Sequence, residues 1–418
     1  MRSEIIAILD IGSSKIVCLI AEVDPSGRPK IIGIGHQVSQ GIRGGMVIDI
    51  KQAEGAIVAA VHAAEKMAGD TIDRVFINVS ATNLTSRNLN VETNISGTQV
   101  TDRDIQEIIS EGIQYFSKDD LEVLHPIPMD YQLDHTQGIR DPRGMTGDKL
   151  STNMHVITSS TTAIKNLANC LARCHLDIED CVAAPYASGL ACLTEDEKNL
   201  GVILLDIGGG NTSVAVFANG NITYTNNVPI GGQHITRDIA RGLSTSLHAA
   251  ERIKTLYGSA VSMPGERQEV VDVPIYDENA EEGVDDPRET MHVSRAELMS
   301  IIRPRVEEIL ELAKKKIRAA GAAETEGSRI VLTGGTAQLM GIKDLAGEVF
   351  GRQARIGKPS VVEGMAESTK GPAFTCAIGM LKYALIKDGL APENFGSGNS
   401  LFTRGKIGKL VQWFQQNF

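Results

Sequence analysis

The chain has 418 residues, 42% hydrophobic and 22% charged, long enough for two or more domains with substantial cores. Its 52 acidic residues outnumber 41 Lys and Arg for a formal net charge of −11, which argues against general nucleic-acid binding. No apolar run is long enough to span a bilayer, and Met1-Arg-Ser-Glu4 leads into a strand pattern without a signal-peptide layout.

Ile5–Leu9 is an apolar run with the pattern of a strand buried on both faces; Asp10-Ile-Gly12-Ser13-Ser14-Lys15 and a second run, Ile16–Ile20, follow. A Pro25-Ser-Gly27 turn leads to a third strand near Lys30–Gly35. Gly33-Ile-Gly35 is not a dinucleotide fingerprint, because no third glycine and no helix follow at the required spacing. Asp49 is placed to cap an amphipathic helix with Ile50, Ile57, Val61 and Ala64 on one side, ending near Gly69. Arg74–Ser80 reads as a strand. Residues 84–153 break the rhythm with a polar strand pair, a helix near Asp102–Tyr115 and Pro/Gly-rich loops such as Asp141-Pro-Arg-Gly144. The pattern then predicts a strand at His155–Ser159, a helix at Thr161–Cys174, a strand at Ile178–Ala183 and a helix at Pro185–Leu193. Cys170, Cys174 and His175 lack the paired spacings of a metal site, so the six cysteines read as reduced core residues.

The opening pattern then returns. Gly201–Leu205 is an apolar run, Asp206 and Gly208-Gly209-Gly210 make a carboxylate and a turn, and Thr212–Phe217 is a second strand. Asn219-Gly220 turns into a third near Ile222–Thr225. Both copies contain Leu-Asp-Ile-Gly, at 9–12 and 205–208, so the chain reads as internally duplicated. A glycine turn after a strand is commonly a bare hairpin; the second copy favours a phosphate cradle. A carboxylate beside phosphates needs a cation between them, so Asp206 predicts Mg²⁺ held partly through waters.

Residues 233–326 read as mainly helical, with a loop of seven acidic residues at 277–289 taken as a solvated connector. Ser294-Arg-Ala-Glu297 forms a capping box for a long helix, expected to bend near Pro304. Glu251 and Lys254 alone read as an i,i+3 surface pair. Ile330–Thr333 is a strand running into Gly334-Gly335-Thr336, with a helix at Gln338–Phe350; this glycine turn is either a bare connection or a place where a flat base approaches the backbone. Alternating strands and helices give an α/β class with mixed sheets.

Residues 389–403 are rich in Gly, Ser, Asn and Pro and read as a flexible linker. In the tail, 404–418, helical spacing puts Ile407, Leu410, Val411, Phe414 and Phe418 on one stripe, with Trp413 at its border, Lys409 opposite, and Lys406 and Lys409 giving local positive charge. A terminal helix commonly docks on its own protein. The linker, the basic border and the boundary tryptophan favour a helix lying on an anionic membrane, held firmly only when several tails bind together.

Asp10-Ile-Gly-Ser-Ser-Lys15, Asp206-Ile-Gly-Gly-Gly-Asn211-Thr212 and Thr333-Gly-Gly-Thr336 together resemble the phosphate loops and adenosine motif of the actin, heat-shock chaperone and hexokinase superfamily. Within it the chain is similar over its length to the FtsA cell-division family, further through Leu124-His-Pro-Ile-Pro128, Leu193-Thr-Glu-Asp-Glu197 and Thr236-Arg-Asp-Ile-Ala240. The resemblance implies an actin-like fold of two lobes with duplicated ribonuclease H-like subdomains, each carrying an insertion. The first lobe would take 1–83, 154–198 and 371–388 with 84–153 inserted; the second, 199–232 and 327–370 with 233–326 inserted. It implies ATP in the cleft, with Asp10 and Asp206 on Mg²⁺ through water. Gly12, Ser13, Ser14 and Lys15 would line one phosphate loop and Gly208, Gly209, Gly210, Asn211 and Thr212 the other. Glu251 and Lys254 would meet the ribose, and Gly334, Gly335, Thr336 and Gln338 the adenine.

The water-positioning place of the superfamily falls at Asp180, whose short reach implies slow turnover, with ATP mainly an assembly cofactor. FtsA-like function implies protofilaments, a membrane tether on the cytoplasmic face at the division site, capture of the FtsZ C-terminal peptide near Arg305 and Glu308, and recruitment of later division proteins. An MreB-like cytoskeletal actin, and a kinase or chaperone ATPase, are the alternatives. No substrate-side base for a kinase is identifiable, and a chaperone needs a substrate domain after the last core helix.

Overall fold

The computed structural model describes residues 4–80, 83–116, 120–262, 269–275, 290–322 and 329–390. The acidic loop at 277–289, the linker beyond residue 390 and the tail at 404–418 lie outside the described residues.

The first lobe opens with the antiparallel meander β1 (Glu4–Ile11), β2 (Lys15–Val23) and β3 (Pro29–Val38), then a small hairpin, β4 (Ile42–Arg43) and β5 (Met46–Val47). Helix α1 (Ile50–Ala68) starts where the Asp49 carboxylate accepts from the Gln52 N–H and stops at Gly69, φ 74°. It buries Ala53, Ile57, Ala60, Val61 and Ala64, while Ile50 is exposed at the first turn. Those alanines bring the helix onto β3 so closely that a Cβ on Gly33 or Gly35 would strike the Ala64 or Ala60 carbonyl. Strand β6 (Arg74–Val79) runs parallel to β1.

The inserted region is more ordered than a polar strand pair. Strands β7 (Thr85–Asn94), β8 (Leu121–Leu133), β9 (Thr136–Ile139) and β10 (Lys149–Ser160) form an antiparallel sheet of order β7-β10-β8-β9, with α2 (Asp102–Gln114) packed on it. Pro126 and Pro128 sit inside β8. There β9, which pairs only at Tyr131 and Leu133, gives no second neighbour, so the missing N–H groups cost little. The strand read at His155–Ser159 is the end of β10.

Helix α3 (Thr161–Arg173) leads to β11 (Asp177–Ala183), which closes a sheet of order β11-β6-β1-β2-β3; α4 (Ala184–Cys192) and the short α5 (Glu195–Leu200) follow. The second lobe repeats the plan: β12 (Val202–Ile207), β13 (Thr212–Ala218) and β14 (Asn221–Val228) form a meander. Helices α6 (Gly232–Gly242) and α7 (Leu247–Tyr257), a hairpin of β15 (Val270–Pro274) and β16 (Thr290–Ser294), and α8 (Arg295–Ala319) come next. The predicted capping box at Ser294 and Glu297 is present, and α8 continues through Pro304. Then come β17 (Arg329–Thr333), a 3₁₀ turn at Gly335–Gln338, α9 (Ile342–Phe350), β18 (Ala354–Ile356) and α10 (Thr375–Lys387). The helix expected from Gln338 thus starts at Ile342.

The second sheet has order β14-β13-β12-β17-β18, the same plan as the first: three antiparallel strands, then two parallel. One apolar core spans β12–β14 and α6–α9. Between the lobes α4 packs on α10, so tightly that a Cβ on Gly379 would strike the Ala187 backbone. α10 lies on β1 and β6, and α4 on β12 and β13.

Candidate functional site

The duplicated strands end opposite one another. Asp10 is the penultimate residue of β1 and Asp206 of β12. The turn after each is closed by the same bond: the Gly12 N–H donates to the Lys15 carbonyl at 3.0 Å and the Gly208 N–H to the Asn211 carbonyl at 3.0 Å. The turns touch. A Cβ on Gly209 would collide with the Ser14 side chain and one on Gly210 with that of Ser13, so these positions need glycine for close approach. Gln233, opening α6, fastens the pair: its N–H donates to the Gly209 carbonyl (2.8 Å) and its side-chain amide to the Ser13 carbonyl (2.9 Å).

Together the turns floor a cleft of about 590 Å³. Asp10, Gly12, Ser13, Ser14, Lys15, Asp206, Gly208, Gly209, Gly210 and Asn211 line it, as do Glu251, Lys254, Gly334, Gly335, Thr336 and Gln338. Gly334 has φ 86°, and a Cβ there would meet the Asp206 carboxylate and the Ile207 carbonyl. The Thr336 hydroxyl donates to the Gly208 carbonyl at 2.9 Å, joining the third glycine turn to the second. Glu251 and Lys254 are more than a surface pair: the ammonium bonds the Glu251 carboxylate (2.6 Å), the Thr236 hydroxyl (2.9 Å) and the Gly232 carbonyl (3.2 Å), and the Thr236 hydroxyl donates to the same carboxylate.

Two carboxylates and one lysine share this low-dielectric space. Burial pushes Asp10 up to about 6, with the Asp206 charge adding to it while Lys15 and a Cys376 hydrogen bond oppose. Burial also raises Asp206, against the Ser188 hydroxyl, which donates to Oδ2 at 2.6 Å, and the Lys15 charge. Lys15 is pulled down by burial despite both carboxylates, and its ammonium lies 3.5 Å from the centre of the Phe374 ring.

This donor set fits a divalent cation bound with phosphates. Two buried carboxylates leave a deficit of positive charge, and among the described residues no group of three or more Asp, Glu, His or Cys is placed to hold a metal, so waters or ligand oxygens would complete the shell. The cleft volume lies in the range of small-molecule sites.

Residues 203–379 match the family model for cell division protein FtsA, and residues 81–158 that for the SHS2 domain inserted in FtsA. Cell division protein FtsA of Agrobacterium fabrum is 40% identical over all of this chain and 96% of its own length. That of Pseudomonas aeruginosa is 35% identical over 98% of this chain and 97% of its own. The chain belongs to the FtsA family of cell-division proteins. Among solved structures it resembles the PilM-PilN type IV pilus biogenesis complex (TM-score 0.64, 17% identity, 91% of this chain and 98% of that one). It also resembles MreB5 of Spiroplasma citri bound to ADP (TM-score 0.53, 14% identity, 92% of this chain and 96% of that one). At such identities the likeness is one of fold, and the fold of this FtsA-family chain is actin-like.

Two expected site residues are placed elsewhere. Thr212 is fully buried with its hydroxyl donating to the Ile230 carbonyl (2.8 Å), and its neighbour Ser213 lines the cleft instead. Asp180 does not reach the cleft. Its Oδ2 accepts from the Tyr383 hydroxyl (3.0 Å) and pairs with the Lys387 ammonium (2.7 Å). Its placement came from the resemblance to the superfamily, and this strand carries a register shift between Ile178 and Asp180. The residue at the cleft wall there is Ala184, which has no group to orient water. Arg305 is engaged by a neighbour: it forks onto Asp238 of α6 (2.5 and 3.0 Å) and also pairs with Glu308. Ile407, Leu410, Val411, Trp413, Phe414, Phe418, Lys406 and Lys409 lie outside the described residues.

Sequence reading missed Asn78, Ser188, Gln233 and Cys376. Asn78 brackets Ile11, accepting its N–H at 2.7 Å and donating to its carbonyl at 3.4 Å, and so holds the strand end beside Asp10. A lone carboxamide in the apolar run Arg74–Val79 was the available signal.

Proposed function

We propose that this chain binds ATP with Mg²⁺ in the interlobe cleft and uses it as an assembly cofactor, forming actin-like protofilaments that tether FtsZ to the cytoplasmic membrane. The observation that carries the nucleotide reading is the pair of matched turns with Asp10 and Asp206 behind them. When bound, the Mg²⁺ ion would supply positive charge between the two buried carboxylates and the anionic phosphates. Backbone N–H groups and hydroxyls at Ser13–Ser14 and Gly209–Gly210 are the phosphate donors, Lys15 adds a fixed cation, and Ser188 keeps Asp206 oriented. Glu251 offers acceptors to ribose hydroxyls, and Gly334 to Thr336 offer bare backbone to a flat base. With Ala184 at the wall, no side chain at that place orients water, which supports slow turnover.

The membrane and FtsZ parts rest on family membership and on the tail sequence. At helical spacing Ile407, Leu410, Val411, Phe414 and Phe418 give the apolar stripe that lies on anionic lipid, with Lys406 and Lys409 adding positive charge. Trp413 is the single tryptophan, so its emission reports the tail alone. Calorimetric titration with Mg²⁺–ATP is expected to give one site per chain. Anionic vesicles are expected to shift Trp413 emission to the blue, and L410E to abolish the shift. No heat at millimolar nucleotide rejects the cofactor reading; no emission shift under assembling conditions rejects the tether.

A further inference from the structure

The segment Leu124-His-Pro-Ile-Pro128 does not line the cleft, yet it bonds the residue next to the cleft wall. Strand β11 is an edge of the first sheet, and β8 of the insert lies along its free side. There the buried His125 ring accepts the Ala183 N–H through Nε2 at 2.9 Å, which puts its own proton on Nδ1. The next residue, Ala184, is the cleft wall. The ring is wedged against Tyr186 of α4 (5.0 Å) and Tyr383 of α10 (5.2 Å), the two helices that join the lobes. Burial holds His125 down to about 4, so the acceptor nitrogen stays free of a proton at neutral pH.

The insert has a second footing that avoids the cleft. Ser86 accepts the Thr225 N–H at 2.9 Å and the Asn221 amide donates to the Met129 carbonyl at 3.2 Å, but none of these four residues lines the cleft. Leu124, Ile127 and Ile157 pack in one cluster with Leu204 and Phe217 of the second lobe. The insert therefore bridges both lobes, and of these three polar links that of His125 ends beside a cleft residue.

We infer that His125 is a positioning residue that couples the inserted subdomain to the cleft, so that a nucleotide filling the cleft also orders the insert. This rests on the nucleotide reading above.

The test is amide hydrogen exchange on the full chain, with and without Mg²⁺–ATP, for wild type, H125Q, H125L and S86A. In wild type, nucleotide should slow exchange in the two turns and also in β8 and β10. H125Q, whose carbonyl replaces the acceptor, should keep both effects; H125L should keep the turn protection and lose that of the insert; S86A should keep both. If H125L does not fold, H125N, whose carboxamide stops short of the Ala183 amide, takes its place. Insert protection that survives in H125L, is lost equally in S86A, or is missing in wild type while the turns are protected overturns the coupling. No protection anywhere overturns the nucleotide reading and the coupling with it.

Discussion

Asp10→Asn should move stability and binding in opposite directions. Asp10 titrates near 3.8 when unfolded and at about 6 in the buried cleft, so the folded state holds its proton more tightly. The sign follows: stability from this group is present below 3.8, is lost as pH rises through 6, and stays lost above it. The gap of about 2 units corresponds to roughly 3 kcal/mol at neutral pH, with the attraction of Lys15 already included in it. Asparagine cannot ionise and carries no such cost, so the metal-free variant should be the more stable protein by up to about 3 kcal/mol. Its advantage should shrink as pH falls from 6 towards 3.8.

Ligand should reverse the order. A ligand at a hundredfold excess over its dissociation constant stabilises wild type by about 2.7 kcal/mol, and the variant, with one carboxylate fewer for the cation, should gain much less. Denaturant melts followed by circular dichroism, in chelator and in Mg²⁺–ATP, at pH 7.5 and pH 5, read all four states. A variant less stable than wild type in chelator at pH 7.5 refutes the argument about burial. An Mg²⁺–ATP shift equal to wild type refutes a cation role for Asp10.

Gly334→Ala forces a side chain into φ 86° against the Ile207 carbonyl, costing about 1–2 kcal/mol for the backbone alone and displacing Asp206. Gly335→Ala meets nothing nearer than 3.9 Å and should melt as wild type without nucleotide; equal melting of the two variants would count against the steric reading. Because His125 sits at about 4 against 6.5 unfolded, the unfolded chain binds more protons between those values. Acidification from pH 6.5 to 4 should thus remove about 3 kcal/mol that H125Q does not lose, and parallel pH–stability curves would refute it. Asp238→Ala releases the Arg305 fork; if Arg305 receives the FtsZ peptide, anisotropy should show tighter binding, and an unchanged dissociation constant removes Arg305 from that site.

The cleft was readable from sequence because its parts are local. A strand, a carboxylate and a small-residue turn lie within a dozen residues, and the duplication supplies an internal control. Features that depend on partners far along the chain were not readable. Pro126 and Pro128 look like loop residues until β9 is seen to stop short of them. Asp180 takes the superfamily's water-positioning place by resemblance until its pairing with Tyr383 and Lys387 is seen. Thr212 and Ser213 are adjacent hydroxyls, and which one faces the cleft is set by the Ile230 carbonyl, 18 residues on. The hairpin β15–β16 pairs segments separated by the acidic loop, a long-range contact with no local signature. Gly33 and Gly35, rejected as a nucleotide fingerprint, serve packing: they let α1 lie flat on β3.

The bonds between the lobes bear on what a ligand can do. Asn211 and Asn227 both donate to the Ser80 carbonyl, and Gln233 to that of Ser13, so the matched turns are held in register by the protein itself. Shape is therefore largely prepared, and charge is what stays unbalanced: two buried carboxylates press on each other, with one lysine between them that burial also weakens. A ligand that corrects charge acts on the stability of the closed arrangement more than on its geometry. The helices α4 and α10 carry Ser188 and Cys376 to the two carboxylates and meet again at the His125 ring. Relief of charge at one end of these helices is thus applied to the same elements that seat the insert. That is in keeping with the proposal that bound nucleotide sets order and assembly.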